Sequence, residues 1–270
     1  MKQPFISLAS RLMPSVVVKY AYYQLTHPQV RKLREHELEI LDTALKGWYN
    51  YSTTRIRTYI WKGGSKSIML VHGWEGQAGN FSDLIVALQR ENYTIYAFDA
   101  PSHGFSDGGS TSLFEFTEVV AELIKHWKVK YVVSHSFGGV AVTYALKSNP
   151  ELALTKYALL TTPDKFLERI DQVASQIGIT EKVKLKLIER MESETGFLAS
   201  TLDVSKFVQE IKVCEALIIH DRNDRVIPLT QSQNVNKNWE NSLLEVLEGT
   251  GHFRILRTPK VIDRVIQFLH

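Results

Sequence analysis

Hydrophobic positions along this chain recur with two different periods, and the changes of period divide it into elements. From residue 52 onward, short apolar runs alternate with stretches of helical spacing. Thr54, Ile56, Thr58 and Ile60 alternate with Arg55, Arg57 and Tyr59, a strand that ends at Lys62-Gly63-Gly64. Residues 67–71 are nearly all apolar, as in a strand buried on both faces. Residues 80–89 place Phe81, Leu84, Ile85 and Leu88 on one helical face, and 93–98 form the next strand. A helix over 113–127 leads to a strand at 131–135, a helix at 140–146 and a strand at 157–160. The last part repeats the theme: strand 216–220, helix 229–238, strand 243–247 and a closing helix over 261–269. Strands alternating with helices predict an α/β fold, a mainly parallel central sheet with helices on both faces.

Two stretches stand apart from that alternation. Residues 1–50 read as an N-terminal helical extension to a domain spanning 51–270. One helix is expected after Pro14, and a second over 29–46, closed by Gly47. Arg11, Pro14 and Lys19 interrupt the apolar stretch 5–25 well inside any spanning length. It also lacks the pattern of a secretory signal. A helix docked on the domain is the expectation, and an interfacial membrane helix is the alternative. Between the strands at 157–160 and 216–220 lie two apolar stripes, Phe166-Ile170-Val173-Ile177 and Val183-Leu187-Ile188-Met191, with Thr180 placed to cap the second helix. They predict a small helical cap over about 163–205, roofing the strand ends with an apolar face.

Composition narrows the field only a little. An apolar fraction of 44% and a charged fraction of 23% are those of a soluble globular protein. A net charge of +3, spread along the chain, is too small to argue for nucleic acid. The single cysteine, Cys214, excludes an internal disulfide and fits a reducing, cytoplasmic setting.

The chemistry begins where the strand at 131–135 runs into Ser136 and a helix follows. A serine on a sharp strand-to-helix turn needs small neighbours two residues before and after it. Here these are Ser134 and Gly138, so the pattern is S-x-S-x-G. Taken alone, the junction reads either as tight packing or as a nucleophile. His252, the last histidine before the closing helix, lies in a glycine-rich loop after a strand and could serve as its base. His72, His103, His135 and His220 also fall at strand ends, where they read as bracing residues. Without cysteine pairs or an H-x-x-x-H helix, no metal site is expected. Gly63-Gly64 and Gly108-Gly109 follow turn patterns, so no nucleotide cofactor is expected either.

From about residue 52 to 270 the chain resembles the α/β-hydrolase superfamily, in its serine hydrolase branch with a small cap. Five stretches carry the resemblance in the family's order: His72-Gly73, Asp99 to Ser106, Ser134 to Gly139, His220 to Pro228, and Gly251-His252-Phe253. The resemblance implies Ser136 as nucleophile, His252 as base and Asp224, four residues before Pro228, as the acid. Asp221 is then a loop brace. It also implies an oxyanion hole made by the backbone N–H groups of Trp74 and Phe137.

Relatives that dehalogenate or open epoxides carry an aspartate at the elbow, so Ser136 points instead to acyl transfer. The expected substrate is a carboxylic ester or thioester of a small molecule. A binding protein on the same fold, or a cofactor-free lyase or carbon–carbon hydrolase, are the alternatives.

Overall fold

The alternating segments assemble into an eight-stranded sheet in the computed structural model, which describes residues 2–30 and 32–270. The strands are β1 (Leu45–Tyr51), β2 (Thr54–Trp61), β3 (Ser67–Val71), β4 (Thr94–Phe98), β5 (Tyr131–His135), β6 (Ala153–Leu160), β7 (Lys212–Asp221) and β8 (Ser242–Leu247). Their spatial order is β1-β2-β4-β3-β5-β6-β7-β8. β1 and β2 form an antiparallel hairpin, β2 runs antiparallel to β4, and every later pairing is parallel.

The helices, in chain order, are α1 (Lys2–Leu12), α2 (Pro14–Thr26), α3 (Glu35–Asp42), α4 (Ser82–Arg90), α5 (Leu113–Trp127), α6 (Phe137–Ser148), α7 (Phe166–Ile177), α8 (Glu181–Thr195), α9 (Val204–Phe207), α10 (Leu229–Lys237), α11 (Gly251–Arg254) and α12 (Pro259–Leu269). Residues 28–164 and 204–270 form one compact unit, which holds the whole sheet. Strand side chains alternate between faces, so Ile68 and Leu70 of β3, Val133 of β5, and Leu217 and Ile219 of β7 share one core. Leu84, Ile85 and Leu88 of α4 and Val261, Val265 and Leu269 of α12 close that core. Each such buried side chain contributes about 1.5–3 kcal/mol. α5 and α6 pack on each other, with Phe116, Val119, Val120 and Leu123 of α5 buried.

Residues 2–27 and 165–203 form the second compact unit, all helical apart from turns. α2 packs on α8 by burying Val17 and Val18 against Val183, with Ala9 and Ile179 alongside. The Tyr22 hydroxyl donates to Glu194, and the Arg190 guanidinium lies 3.9 Å from the centre of the Tyr22 ring. Of the two apolar stripes, Ile170 on α7 and Val183 and Leu187 on α8 are buried, whereas Phe166, Val173, Ile177, Ile188 and Met191 are half-buried. Thr180 stands at the N-cap of α8, although its side chain makes no capping hydrogen bond.

One sequence expectation fails at the secondary-structure level. The helix expected over 29–46 is confined to α3, and Leu45–Tyr51 is strand β1. Gly47 does not close a helix but pairs with Thr58 in the β1–β2 hairpin. A Cβ at Gly47 would come within 3.0 Å of the Thr58 hydroxyl oxygen, so the close approach of the strands favours glycine there.

Candidate active site

The parallel strands end along one edge of the sheet, where an α/β fold gathers its functional loops. β5 delivers Ser136, β7 delivers the loop from Asp221 to Pro228, and β8 leads through Gly249-Thr250-Gly251 to His252 on α11. The structure brings Ser136, His252 and Asp224 into one line. The Ser136 hydroxyl lies 3.0 Å from His252 Nε2, and His252 Nδ1 lies 2.8 Å from Asp224 Oδ2. The side chains of His252 and Asp224 are almost wholly shielded from solvent.

Local forces hold each member in place. Ser136 has φ 52° and ψ −124°, a conformation that a residue with a Cβ adopts only under constraint. Its backbone N–H donates to the Leu160 carbonyl at 2.9 Å, and its carbonyl accepts from the Gly139 N–H at 2.9 Å. The helix after it can start so close only because Gly138 has no side chain. A Cβ there would meet the His72 carbonyl oxygen at 2.4 Å and that of Val71 at 2.6 Å. Ser134, the non-glycine member of the pattern, is fully buried, and its hydroxyl lies 2.9 Å from that of Tyr157. Tyr157 in turn donates to the Gly139 carbonyl, which orders the pair: Ser134 donates and Tyr157 accepts.

On the acid loop the two carboxylates divide their partners. Asp224 Oδ1 accepts from the N–H groups of Val226 (2.7 Å) and Ile227 (3.0 Å), leaving Oδ2 for the imidazole. Burial alone would raise the Asp224 pKa, but the His252 imidazole and the two N–H groups outweigh it and hold the carboxyl below its usual range. Asp221 Oδ2 accepts from the Thr250 N–H, from the Thr250 hydroxyl (2.8 Å) and from the Gly251 N–H (2.9 Å). Asp221 thus ties the end of β7 to the segment that carries His252.

The remaining histidines are braces, and two have partners that the sequence pattern does not reveal. His135 donates from Nε2 to the backbone carbonyl of His252, 2.9 Å away, and burial pushes its pKa down to about 3. Its position immediately before Ser136 is the sole sequence signal for that contact. His220 donates from Nε2 to the Ile227 carbonyl (3.0 Å), while its Nδ1 accepts from Ser232 (2.7 Å), pinning both ends of the acid loop. His72 donates from Nδ1 to the Gly73 carbonyl (2.7 Å) and accepts at Nε2 from the Ala100 N–H (2.9 Å). Complete burial holds it neutral, well below its usual pKa. His103 lies with Nδ1 2.8 Å from the Pro101 carbonyl. These tautomers follow from the partners, since each carbonyl needs a donor and each N–H an acceptor.

Asp99 anchors the loop after β4. Its carboxylate accepts from the Ala78 N–H, the Phe105 N–H and the Tyr59 hydroxyl, and burial raises its pKa. Gly104, at φ 48°, passes so close that a Cβ would lie 2.4 Å from the Asp99 carboxyl carbon.

Around the serine, main chain takes the place of side chains. A Cβ on Gly73 would lie 3.0 Å from Ser136 Cβ and 3.4 Å from the Phe137 nitrogen, so the loop after β3 lies directly against the elbow. Phe137 opens α6, where first-turn N–H groups have no partner within the helix. The Trp74 and Phe137 rings meet edge to face, 5.5 Å between centres, and Trp74 also meets His103 at 5.0 Å. Among the described residues, no three His, Cys, Asp or Glu side chains converge into a metal-holding cluster.

The chain is similar to known hydrolases. Residues 64–194 match the family model described as serine aminopeptidase, S33. The uncharacterised hydrolase YugF of Bacillus subtilis is 24% identical over 246 residues, covering 75% of this chain and 89% of that protein. A human serine hydrolase-like protein is 34% identical over 109 residues, 37% of this chain and 52% of its own length. Among solved structures, the Pyrococcus furiosus esterase Pf2001 superposes with a TM-score of 0.67 at 17% identity, covering 92% of this chain and 98% of the esterase.

Proposed function

We propose, for a chain that belongs to the α/β-hydrolase superfamily and is a hydrolase, that its reaction is hydrolysis of carboxylic esters or thioesters through an acyl-enzyme on Ser136. The observation that carries this reading is the unbroken relay from the Ser136 hydroxyl through His252 to Asp224, with contacts of 3.0 and 2.8 Å. A serine hydroxyl is a weak nucleophile near neutral pH, so attack requires a base within hydrogen-bond reach. His252 Nε2 takes the hydroxyl proton as Ser136 Oγ bonds to the acyl carbon. Asp224 accepts the hydrogen bond from Nδ1, fixing the tautomer and stabilising the imidazolium that forms.

The carbonyl oxygen gains negative charge in that step and needs donors aimed at it. The backbone N–H groups of Trp74 and Phe137 fill this role in the proposal, supported by the close approach of Gly73 to the elbow. Each such donor contributes about 3–4 kcal/mol in comparable sites. Collapse of the intermediate expels the alcohol or thiol, to which His252 returns the proton. Water then repeats the sequence: His252 takes its proton, hydroxide adds to the acyl carbon, and Ser136 Oγ leaves and regains a proton.

Pre-steady-state kinetics on p-nitrophenyl esters and acyl thioesters of graded chain length test this reading. It predicts turnover, with an initial burst of alcohol or thiol stoichiometric with the enzyme for those substrates whose deacylation is the slower step. Absence of turnover across the whole panel would overturn it.

A further inference from the structure

The relay does not account for the outer face of the two N-terminal helices, which leaves large apolar side chains in water. On α1, Leu8 (56% exposed) and Leu12 (70%) stand one turn apart with exposed Arg11 between them. On α2, Val16 (59%), Tyr20 (59%) and Tyr23 (48%) recur at spacings of four and three, with exposed Lys19 beside them. The opposite face of α2 is accounted for, since Val17, Val18 and Ala21 are buried. α2 therefore has two apolar faces: the buried one packs on α8, and on the outer one Tyr23 stacks on the His27 ring at 3.9 Å while Val16 and Tyr20 stand exposed. Single exposed apolar residues are ordinary, but five large ones on two successive helices mark a surface that binds something.

Charge indicates what covers it. Residues 1–27 include Lys2, Arg11 and Lys19 and no Asp or Glu, and the first carboxylate in the chain is Glu35. Two carboxylates of α8 approach α2: Glu194 is engaged by the Tyr22 hydroxyl and by Arg190, and Glu189 lines a hollow with Ser15, Val18, Lys186 and Arg190. A face of aliphatic side chains and tyrosines, edged by cations and with no carboxylate on either helix itself, matches the acyl–headgroup boundary of an anionic bilayer. Neither helix can span it: among the described residues, no helix is long and apolar enough to cross a membrane.

We propose that the α1–α2 face bearing Leu12, Val16, Tyr20 and Tyr23 is a docking surface for an anionic lipid bilayer, on which the protein binds peripherally. Apolar side chains enter the interface while Arg11 and Lys19 meet lipid phosphates. The surface is independent of the Ser136 relay, so either can fail without the other.

Flotation of the full-length protein with vesicles tests the docking surface. Vesicles of phosphatidylcholine with about a third phosphatidylglycerol should bind about ten-fold or more tightly than pure phosphatidylcholine, and about 0.5 M salt should remove most of that difference. The triple variant Val16→Ser/Tyr20→Ser/Tyr23→Ser should lose binding, and Arg11→Gln/Lys19→Gln should lose the preference for anionic lipid. Far-ultraviolet circular dichroism of both variants should match the wild type, because the altered side chains are on the outer face. No binding by the wild type, equal binding to the two vesicle types, or undiminished binding by the triple variant would overturn the proposal. So would a lipid-free dimer, seen by sedimentation, that the triple variant converts to monomer, since a second copy would then cover the face.

Discussion

Asp221 and Asp224 lie three residues apart on one loop, and their carboxylates serve different partners. Asp224 faces the His252 imidazole at 2.8 Å, whereas Asp221 accepts from the backbone and side chain of the segment preceding that histidine. Both anions act on His252, one by orienting its ring and the other by fixing its main chain. Substitution should separate these effects. Asp224→Asn retains an acceptor for Val226 and Ile227 but loses the anion opposite Nδ1, and kcat should fall by about three to four orders of magnitude. Asp221→Asn sets an amide where only acceptors fit, and should cost about 1–3 kcal/mol of stability with a much smaller effect on kcat. Ester hydrolysis and urea denaturation of the two variants provide the measurements. An exchange of phenotypes would reverse the assignment.

Ser134 and Tyr157 form a second testable pair. Removing the phenol oxygen by Tyr157→Phe leaves the Ser134 hydroxyl and the Gly139 carbonyl without that partner in a fully buried place. The expected loss is about 1–3 kcal/mol. Ser134→Gly should cost less, because Tyr157 can still donate to Gly139. In a double-mutant cycle the combined variant should lose less than the sum of the singles. Strict additivity would show that the two hydroxyls are not coupled.

Much of this arrangement is legible in the sequence because its parts are local. The buried strands β3 and β5 are short apolar runs, and the serine turn lies between a strand and a helix of opposite periodicity. The hairpin strand β1 is not legible, because it lies at the sheet edge with side chains that are exposed or half-buried, so no apolar alternation marks it. Its identity comes from pairing with β2, a contact that no window of residues 29–46 contains. The His135 contact with the His252 carbonyl spans 117 residues, and only the folded sheet brings its two ends together. Similarly, the serine in place of the first glycine of the elbow becomes intelligible once Tyr157 on the neighbouring strand is seen beside it.

Buried histidines set the response to acid. His72 and His135 are held neutral by burial, with pKa values well below the ordinary range, that of His135 at about 3. In the unfolded chain each takes up a proton near pH 6.5, so below that pH the unfolded state binds more protons. Stability is therefore lost as pH falls from about 6.5 toward the folded values, at up to about 1.4 kcal/mol per pH unit for each histidine. The lowered carboxyl of Asp224 acts in a separate window, its contribution being lost only below about pH 4. Urea midpoints measured between pH 7.5 and 5 should fall steeply, and His135→Gln, which can still donate to the His252 carbonyl, should flatten that dependence. An unchanged slope in the variant would show that His135 does not titrate between the two states.

The central claim is that Ser136 is the nucleophile, and covalent labelling with a fluorophosphonate tests it most directly. A fluorophosphonate reacts only with a serine whose proton is taken by a neighbouring base, because phosphorus accepts the oxygen as fluoride leaves. The account predicts a single adduct on Ser136, mapped by peptide mass spectrometry, and no adduct or hydrolysis in a folded Ser136→Ala variant. Labelling that persists in Ser136→Ala, or that maps to Ser134, would contradict it.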